Sequence, residues 1–138
     1  VTLIGTKEQA ETAARHLQLI GFDQVRGYLD AGQIKDDKMT ETITAAAFIA
    51  LRQAKDLQIL DVRSKSEWDK GHLPDAKRVL LGKLLEEPLP FKRDEPLYVH
   101  CQSGVRSAVA IGALEERGFK KIVNILGGYT AIEKIRNE

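Results

Sequence analysis

The sequence predicts an α/β fold in which a parallel sheet is flanked by helices. Three observations carry that expectation. Leu57 to Val62, Leu97 to His100 and Ile122 to Leu126 are short and largely apolar at successive positions, as strands buried on both faces are. Between them lie longer stretches whose apolar residues recur at helical spacing. Glycines and prolines mark the joins. Strands that alternate with helices in this way build parallel sheets.

Taken in order, Val1 to Gly5 is a β-branched apolar run and reads as a buried strand. From Lys7 to Ile20 a helix is expected, because Ala10, Ala13, Ala14, Leu17 and Ile20 share one face and Gly21 closes it. Val25 to Leu29 reads as a second short strand. Asp30 to Glu41 is polar, carries the run Lys35-Asp36-Asp37-Lys38, and reads as a solvated linker. The chain is thus expected to divide into residues 1–38 and a domain over residues 39–138.

In that second part Thr44 can cap a helix from Ala45 to about Lys55. Leu57 to Val62 is a strand, Ser66 to Lys70 a helical turn, Gly71 to Pro74 a loop and Ala76 to Leu81 a short strand. Lys83 to Glu86 gives another helical turn, and Pro88, Pro90 and Pro96 punctuate a loop. Leu97 to His100 is a strand and Ser107 to Arg117 a helix that Gly118 ends. Ile122 to Leu126 is the last strand and Tyr129 to Arg136 a closing helix.

An internal repeat runs through this order. At an offset of 97, Ala13 meets Ala110, Leu17 meets Leu114, Gly21 meets Gly118, Phe22 meets Phe119, Val25 meets Ile122 and Leu29 meets Leu126. Across a one-residue slip Leu3 falls beside Val99 and Gly5 beside Cys101. The first segment reads as the back half of a unit like the second, without the cysteine.

Composition narrows the function. The 138 residues are 43% apolar and 30% charged, which is a folded, globular balance. Basic residues number 21 against 20 acidic, a net charge of +1, so bulk charge argues for neither a nucleic-acid nor a membrane partner. No apolar run approaches the roughly 20 residues of a membrane span. A single cysteine excludes an internal disulfide, and with three histidines no Cys/His metal cage is expected. The lone thiol fits a reducing, cytoplasmic compartment. The chain opens on Val1 with no initiator methionine and no signal-like segment, and is read as a piece of a longer protein.

The chemistry concentrates in Cys101-Gln102-Ser103-Gly104-Val105-Arg106-Ser107, between the end of a buried strand and the start of a helix. In open α/β sheets, sites lie at the carboxyl ends of strands. The amides of Gln102, Ser103, Gly104, Val105, Arg106 and Ser107, with the helix N-terminus, make a concave anion site. That potential favours thiolate over thiol. Gly104 lets the loop curl, and Arg106 adds a cation. A nucleophilic Cys101 acting on an anionic, sulfur-bearing substrate follows, with no cofactor required.

The remaining polar residues have weaker patterns. His100 precedes Cys101, but strand neighbours face opposite ways, so it is read as buried and not catalytic. His72 is expected to anchor its loop, His16 to be exposed and Trp68 to pack. Asp61 and Arg63 end a strand on the edge that holds Cys101. They either line the site or are structural, with Arg63 paired to Glu67.

The cysteine loop resembles the active-site loop of rhodanese domains. Leu60-Asp61-Val62-Arg63 followed by Glu67-Trp68 is similar to that family's first signature, and Gly71-His72-Leu73-Pro74-Asp75-Ala76 to its second, where glycine is commoner than Asp75. Asn124-Ile125-Leu126-Gly127-Gly128-Tyr129 resembles the closing signature, which a tryptophan often follows. The likeness covers about residues 40–138. It implies a parallel sheet flanked by helices and a cysteine that carries sulfane sulfur. Residues 1–30 resemble the tail of a cysteine-less copy. The tandem arrangement resembles the C-terminal part of bacterial proteins that begin with a metallo-β-lactamase-type persulfide dioxygenase domain.

The expected activity is sulfurtransferase. The donor would be thiosulfate or a small persulfide, the intermediate a Cys101 persulfide, and the acceptor a thiol or another thiophile. A sulfur carrier or sensing module that does not turn over needs the same loop, so the two stay open. A phosphatase or arsenate reductase of related fold is the third reading. Loop size speaks against it. Cys101 to Arg106 spans Cys-x4-Arg, whereas cysteine phosphatases, including those that resemble rhodaneses, use Cys-x5-Arg. A tetrahedral phosphate needs the wider cradle, while a terminal sulfur needs a single-atom pocket.

Overall fold

A computed structural model of the chain describes residues 2–33 and 40–137. They divide into two compact units with the boundary after residue 39. The expected linker run Lys35 to Lys38 lies outside the described residues.

The first unit is β1 (Thr2–Gly5), α1 (Lys7–Leu19), β2 (Gly27–Asp30) and a 3₁₀ turn over Ala31–Gln33. β1 and β2 pair in parallel, Thr2 opposite Gly27 and Gly5 opposite Asp30. α1 starts where Thr6 Oγ1 accepts the Gln9 N–H and Gln9 Oε1 accepts the Thr6 N–H, a reciprocal cap. The opening strand was expected to be buried, yet Ile4 is 69% exposed. Two strands and one helix give this unit too little apolar surface to cover both faces.

The second unit is a five-stranded parallel sheet in the order β3 (Glu41–Thr44), β7 (Ile122–Leu126), β6 (Leu97–His100), β4 (Gln58–Asp61), β5 (Lys77–Arg78). Its helices are α2 (Ala45–Ala54), α3 (Lys65–Lys70), α4 (Val105–Glu116) and α5 (Gly128–Asn137). β6 and β7 take the bounds the sequence implies. β3 is a correction, since Glu41 was read as linker. Among the described residues it is an edge strand that pairs with β7 alone, so its outward residues stay polar. The strand expected over Ala76 to Leu81 shrinks to two residues, and Leu81–Lys83 forms a 3₁₀ turn instead. α4 begins at Val105, two residues before the expected Ser107.

Successive strand residues feed two cores. Leu60, Val99 and Cys101 join Leu114 and Ala110 of α4 on one face. Ile59, Tyr98 and Ile125 join Phe48 of α2 and Ile132 of α5 on the other. This alternation settles where the strand ends point, because β6 sits centrally and its last residue opens directly onto the cysteine loop.

Candidate active site

β6 ends at His100, and the chain turns at Cys101 before α4 begins at Val105. Gly104 caps the helix at φ 98°, in the left-handed region. It therefore supplies the curl the sequence implies, at a position where an L side chain is strained. Gly128, at φ 57°, backs the loop from the other side. A Cβ there would lie 2.5 Å from the Cys101 carbonyl oxygen. The closeness lets the Tyr129 N–H donate to that carbonyl at 2.7 Å and the Thr130 N–H donate to the Gln102 carbonyl at 3.0 Å. The turn at the head of α5 thus fixes the backbone of the nucleophile.

Cys101 Sγ sits in a cup of donors. The Gly104 N–H donates to it at 3.1 Å and the Ser107 hydroxyl at 3.6 Å. Although it opens a loop, Cys101 is fully buried. Its side chain follows the inward phase of Val99 into the α4-side core. Burial pushes the thiol pKa up. The Ser107 N–H and hydroxyl and the Ser103 and Gly104 N–H groups push it down, and the net direction is down. Of the six amides expected to form the cradle, those of Ser103, Gly104 and Ser107 are the ones aimed at the sulfur. The Gln102 side chain turns elsewhere, accepting from Arg63 Nη1 at 3.0 Å and donating to Thr130 Oγ1 at 2.9 Å. Val105 is 70% exposed on the rim.

Arg106 is close to Cys101, and the negative sulfur helps to hold its charge. Its main partner, however, is Glu67, at 2.8 Å from Nη1 and 2.5 Å from Nη2. The sequence offered Arg106 as a cation of the site and paired Glu67 with Arg63. The cation is there but neutralised by Glu67, and the Arg63–Glu67 pairing is corrected. Glu67 caps α3, accepting from Ser64 N–H at 3.0 Å and Ser64 Oγ at 2.8 Å. That cap aims its carboxylate at Arg106. Hydrogen bonding from Arg106 holds the Glu67 carboxyl at about 2.

Arg63 instead turns back on Asp61, with Nη2 2.7 Å from Oδ2 and both residues essentially out of solvent. Arg63 precedes α3, so the helical i,i+4 spacing to Glu67 does not apply to it. Its guanidinium also lies 4.0 Å from the centroid of the Tyr129 ring. His100 is buried on the opposite face from Cys101, as expected. Its Nδ1 donates to the Cys101 carbonyl at 3.2 Å, and its Nε2 lies 3.7 Å from Asp61 without a hydrogen bond among the described residues. Burial keeps its pKa below the ordinary histidine value. Asn124 was quoted only within a signature. It is buried on β7, and its Nδ2 donates to the Gly104 carbonyl at 3.4 Å. His72 anchors its loop by a bond between Nδ1 and the Trp68 carbonyl, and it stacks on the Trp68 ring at 3.9 Å. His16 is exposed. Among the described residues no three His, Cys, Asp or Glu side chains gather as metal ligands, and no helix is long and apolar enough to cross a membrane.

The site can therefore stabilise a sulfur anion at one point and has a compensated cation beside it. The profile of the Rhodanese-like domain family matches residues 44–135. YqhL of Bacillus subtilis is 32% identical over 103 residues, which covers 74% of this chain and 79% of that protein. The thiosulfate sulfurtransferase GlpE of Coxiella burnetii is 29% identical over 79 residues, 57% of this chain and 74% of that protein. A rhodanese-like domain protein of Staphylococcus aureus superposes with a TM-score of 0.62 at 33% identity, covering 67% of this chain and 91% of its own. A Rhodopseudomonas palustris protein described as a possible tyrosine phosphatase superposes with a TM-score of 0.61 at 29% identity, covering 70% and 82%.

Proposed function

This chain belongs to the rhodanese-like domain family, and from that premise we propose that it is a sulfurtransferase working through a persulfide on Cys101. The observation that supports the reading best is the Sγ cup, where amides of Ser103, Gly104 and Ser107 converge on one sulfur at the head of α4. In the first half-reaction the Cys101 thiolate attacks the sulfane sulfur of thiosulfate or a small persulfide. The new S–S bond forms as the donor's own bond to that sulfur breaks, and sulfite or a thiolate leaves with the electron pair. In the second, an acceptor thiolate attacks the outer sulfur and Cys101 leaves as thiolate. The amide donors favour the sulfur anion at both stages.

The phosphatase reading gains nothing from the geometry. The loop is Cys-x4-Arg, one residue shorter than a cradle for a tetrahedral phosphate requires. Steady-state assays separate the alternatives. An enzyme turns over thiosulfate with cyanide, or a persulfide with a thiol. A carrier loads once and stops. A phosphatase hydrolyses p-nitrophenyl phosphate in a Cys101-dependent way, and that result without sulfur transfer would overturn the assignment.

The first unit belongs to the same proposal as a cysteine-less partial repeat. Its parallel β1–α1–β2 order parallels β6–α4–β7, with Gly5-Thr6 where the second unit has the cysteine loop. We assign it no catalytic role, and place the protein in the cytoplasm beside a dioxygenase-type domain.

A further inference from the structure

The Ser107 hydroxyl has one proton to donate and two acceptors within reach. It lies 3.0 Å from the Gly104 carbonyl oxygen and 3.6 Å from Cys101 Sγ, and a hydroxyl is a single donor. The nearer acceptor is already supplied. The Ala108 N–H donates to the Gly104 carbonyl at 3.3 Å in the opening turn of α4, and Asn124 Nδ2 donates to it at 3.4 Å. A carbonyl oxygen has two lone pairs, so with three donors on it one can leave and the oxygen stays satisfied. Ala108 is fixed by the helix. Asn124 has no other acceptor among the described residues. The donor able to leave is Ser107.

Asn124 is an unfavourable residue for its place. It sits on β7, between β3 and β6, opposite Val99, and is 6% exposed. Its Oδ1 is buried with no partner among the described residues. A buried polar atom left unpaired weakens a fold, and a leucine would fill similar space without one. Packing therefore does not account for an amide here. What Nδ2 does at the Gly104 carbonyl accounts for it.

We infer that Asn124 is a positioning residue for the sulfur chemistry: by holding the Gly104 carbonyl, it lets the Ser107 hydroxyl turn to Cys101 Sγ when that sulfur is an anion. The inference rests on the sulfurtransferase reading, in which the negative charge changes place. It sits on Sγ in the thiolate and on the outer sulfur in the ionised persulfide. The hydroxyl follows it, donating to Sγ in the thiolate and to the Gly104 carbonyl once Sγ is bonded to a second sulfur. Without Asn124 the carbonyl keeps the hydroxyl in both states, and the thiolate loses a donor.

The test is a double-mutant cycle on the whole chain, read by the ultraviolet absorbance of the thiolate against pH. Asn124→Leu should raise the Cys101 midpoint in the parent and leave it unmoved in Ser107→Ala, because Asn124 acts through that hydroxyl. The charged group beside the sulfur, Arg106 paired with Glu67, is kept in every variant. Asn124→Ala, which adds no bulk, supplies the same two measurements if the leucine variant does not fold. A rise of equal size in both backgrounds would mean that Asn124 supports the loop without regard to Ser107, and overturns the inference. No rise in either background overturns it as well. Sulfur loading separates this result from the reading it rests on. Coupled midpoints in a protein that never gains sulfur on Cys101 would overturn the sulfurtransferase reading and leave the Asn124–Ser107 coupling standing. Uncoupled midpoints in a protein that loads sulfur would do the reverse.

Discussion

Arg106 and Glu67 meet end to end, two guanidinium nitrogens on two carboxylate oxygens, across 39 residues of sequence. The pair stands beside Cys101 and cancels the charge that would otherwise attract an anionic donor. Glu67→Gln keeps one oxygen able to cap α3, removes the negative charge and gives up the second acceptor that Arg106 uses. It should raise kcat/KM for doubly charged thiosulfate about threefold or more relative to a neutral persulfide donor. Steady-state kinetics with both donors check this, and an equal change for both would show that the pair has no part in donor choice. Sign matters for pH. With its carboxyl held at about 2 against an ordinary 4.5, Glu67 contributes stability fully above 4.5, and the contribution is lost as pH falls through about 2.

The thiolate of Cys101 should persist below the ordinary cysteine range, because the converging donors outweigh burial. Titrating the ultraviolet absorbance of the thiolate gives the value directly, with Cys101→Ser as the blank. Ser107→Ala removes a hydroxyl that bonds the sulfur and should raise the midpoint. A midpoint at or above that of free cysteine would contradict the cup.

His100 gives the fold an acid sensitivity that does not depend on sulfur chemistry. Its folded pKa lies below the ordinary 6.5 because of burial. The unfolded chain therefore binds the proton first, and stability falls as pH drops below about 6.5. Urea unfolding of His100→Asn between pH 7.5 and about 5 should show a shallower loss than the parent. Parallel curves would mean that Asp61, 3.7 Å away, offsets the burial, so that folded and unfolded chains bind the proton alike.

Gly128→Ala should be severe. The new Cβ falls 2.5 Å from the Cys101 carbonyl oxygen at a φ of 57°. We expect a loss of about 2–4 kcal/mol in denaturant unfolding, with sulfur loading falling in the fraction that stays folded. A variant within about 0.5 kcal/mol of the parent would show that the head of α5 does not fix the loop.

Much of this was legible in the sequence, for identifiable reasons. β6 and β7 are buried on both faces, so their apolar runs end where the strands end. The cysteine loop was legible because glycine, cysteine and arginine sit at fixed offsets next to a strand. β3 was not, since Glu41-Thr42-Ile43-Thr44 is an edge strand with exposed polar residues and has the composition of a linker. The start of α4 was missed because its cap is Gly104, which has no side chain to announce it. The partners of Arg106 and Arg63 were missed for a different reason. Local spacing favours Arg63 with Glu67, and only the packing of α3 against the loop exchanges them.

The claim that everything else depends on is the persulfide on Cys101, and intact mass reads it most directly. The full chain is mixed with thiosulfate, and separately with a small persulfide, freed of excess donor and weighed. The account predicts a gain of one sulfur atom, removed by a thiol or by cyanide and absent in Cys101→Ser. The serine variant should be folded and, with the sulfur lost from a buried site, less stable by about 1 kcal/mol. A parent protein that gains no sulfur from either donor, or a Cys101→Ser protein that still gains one atom, would contradict it.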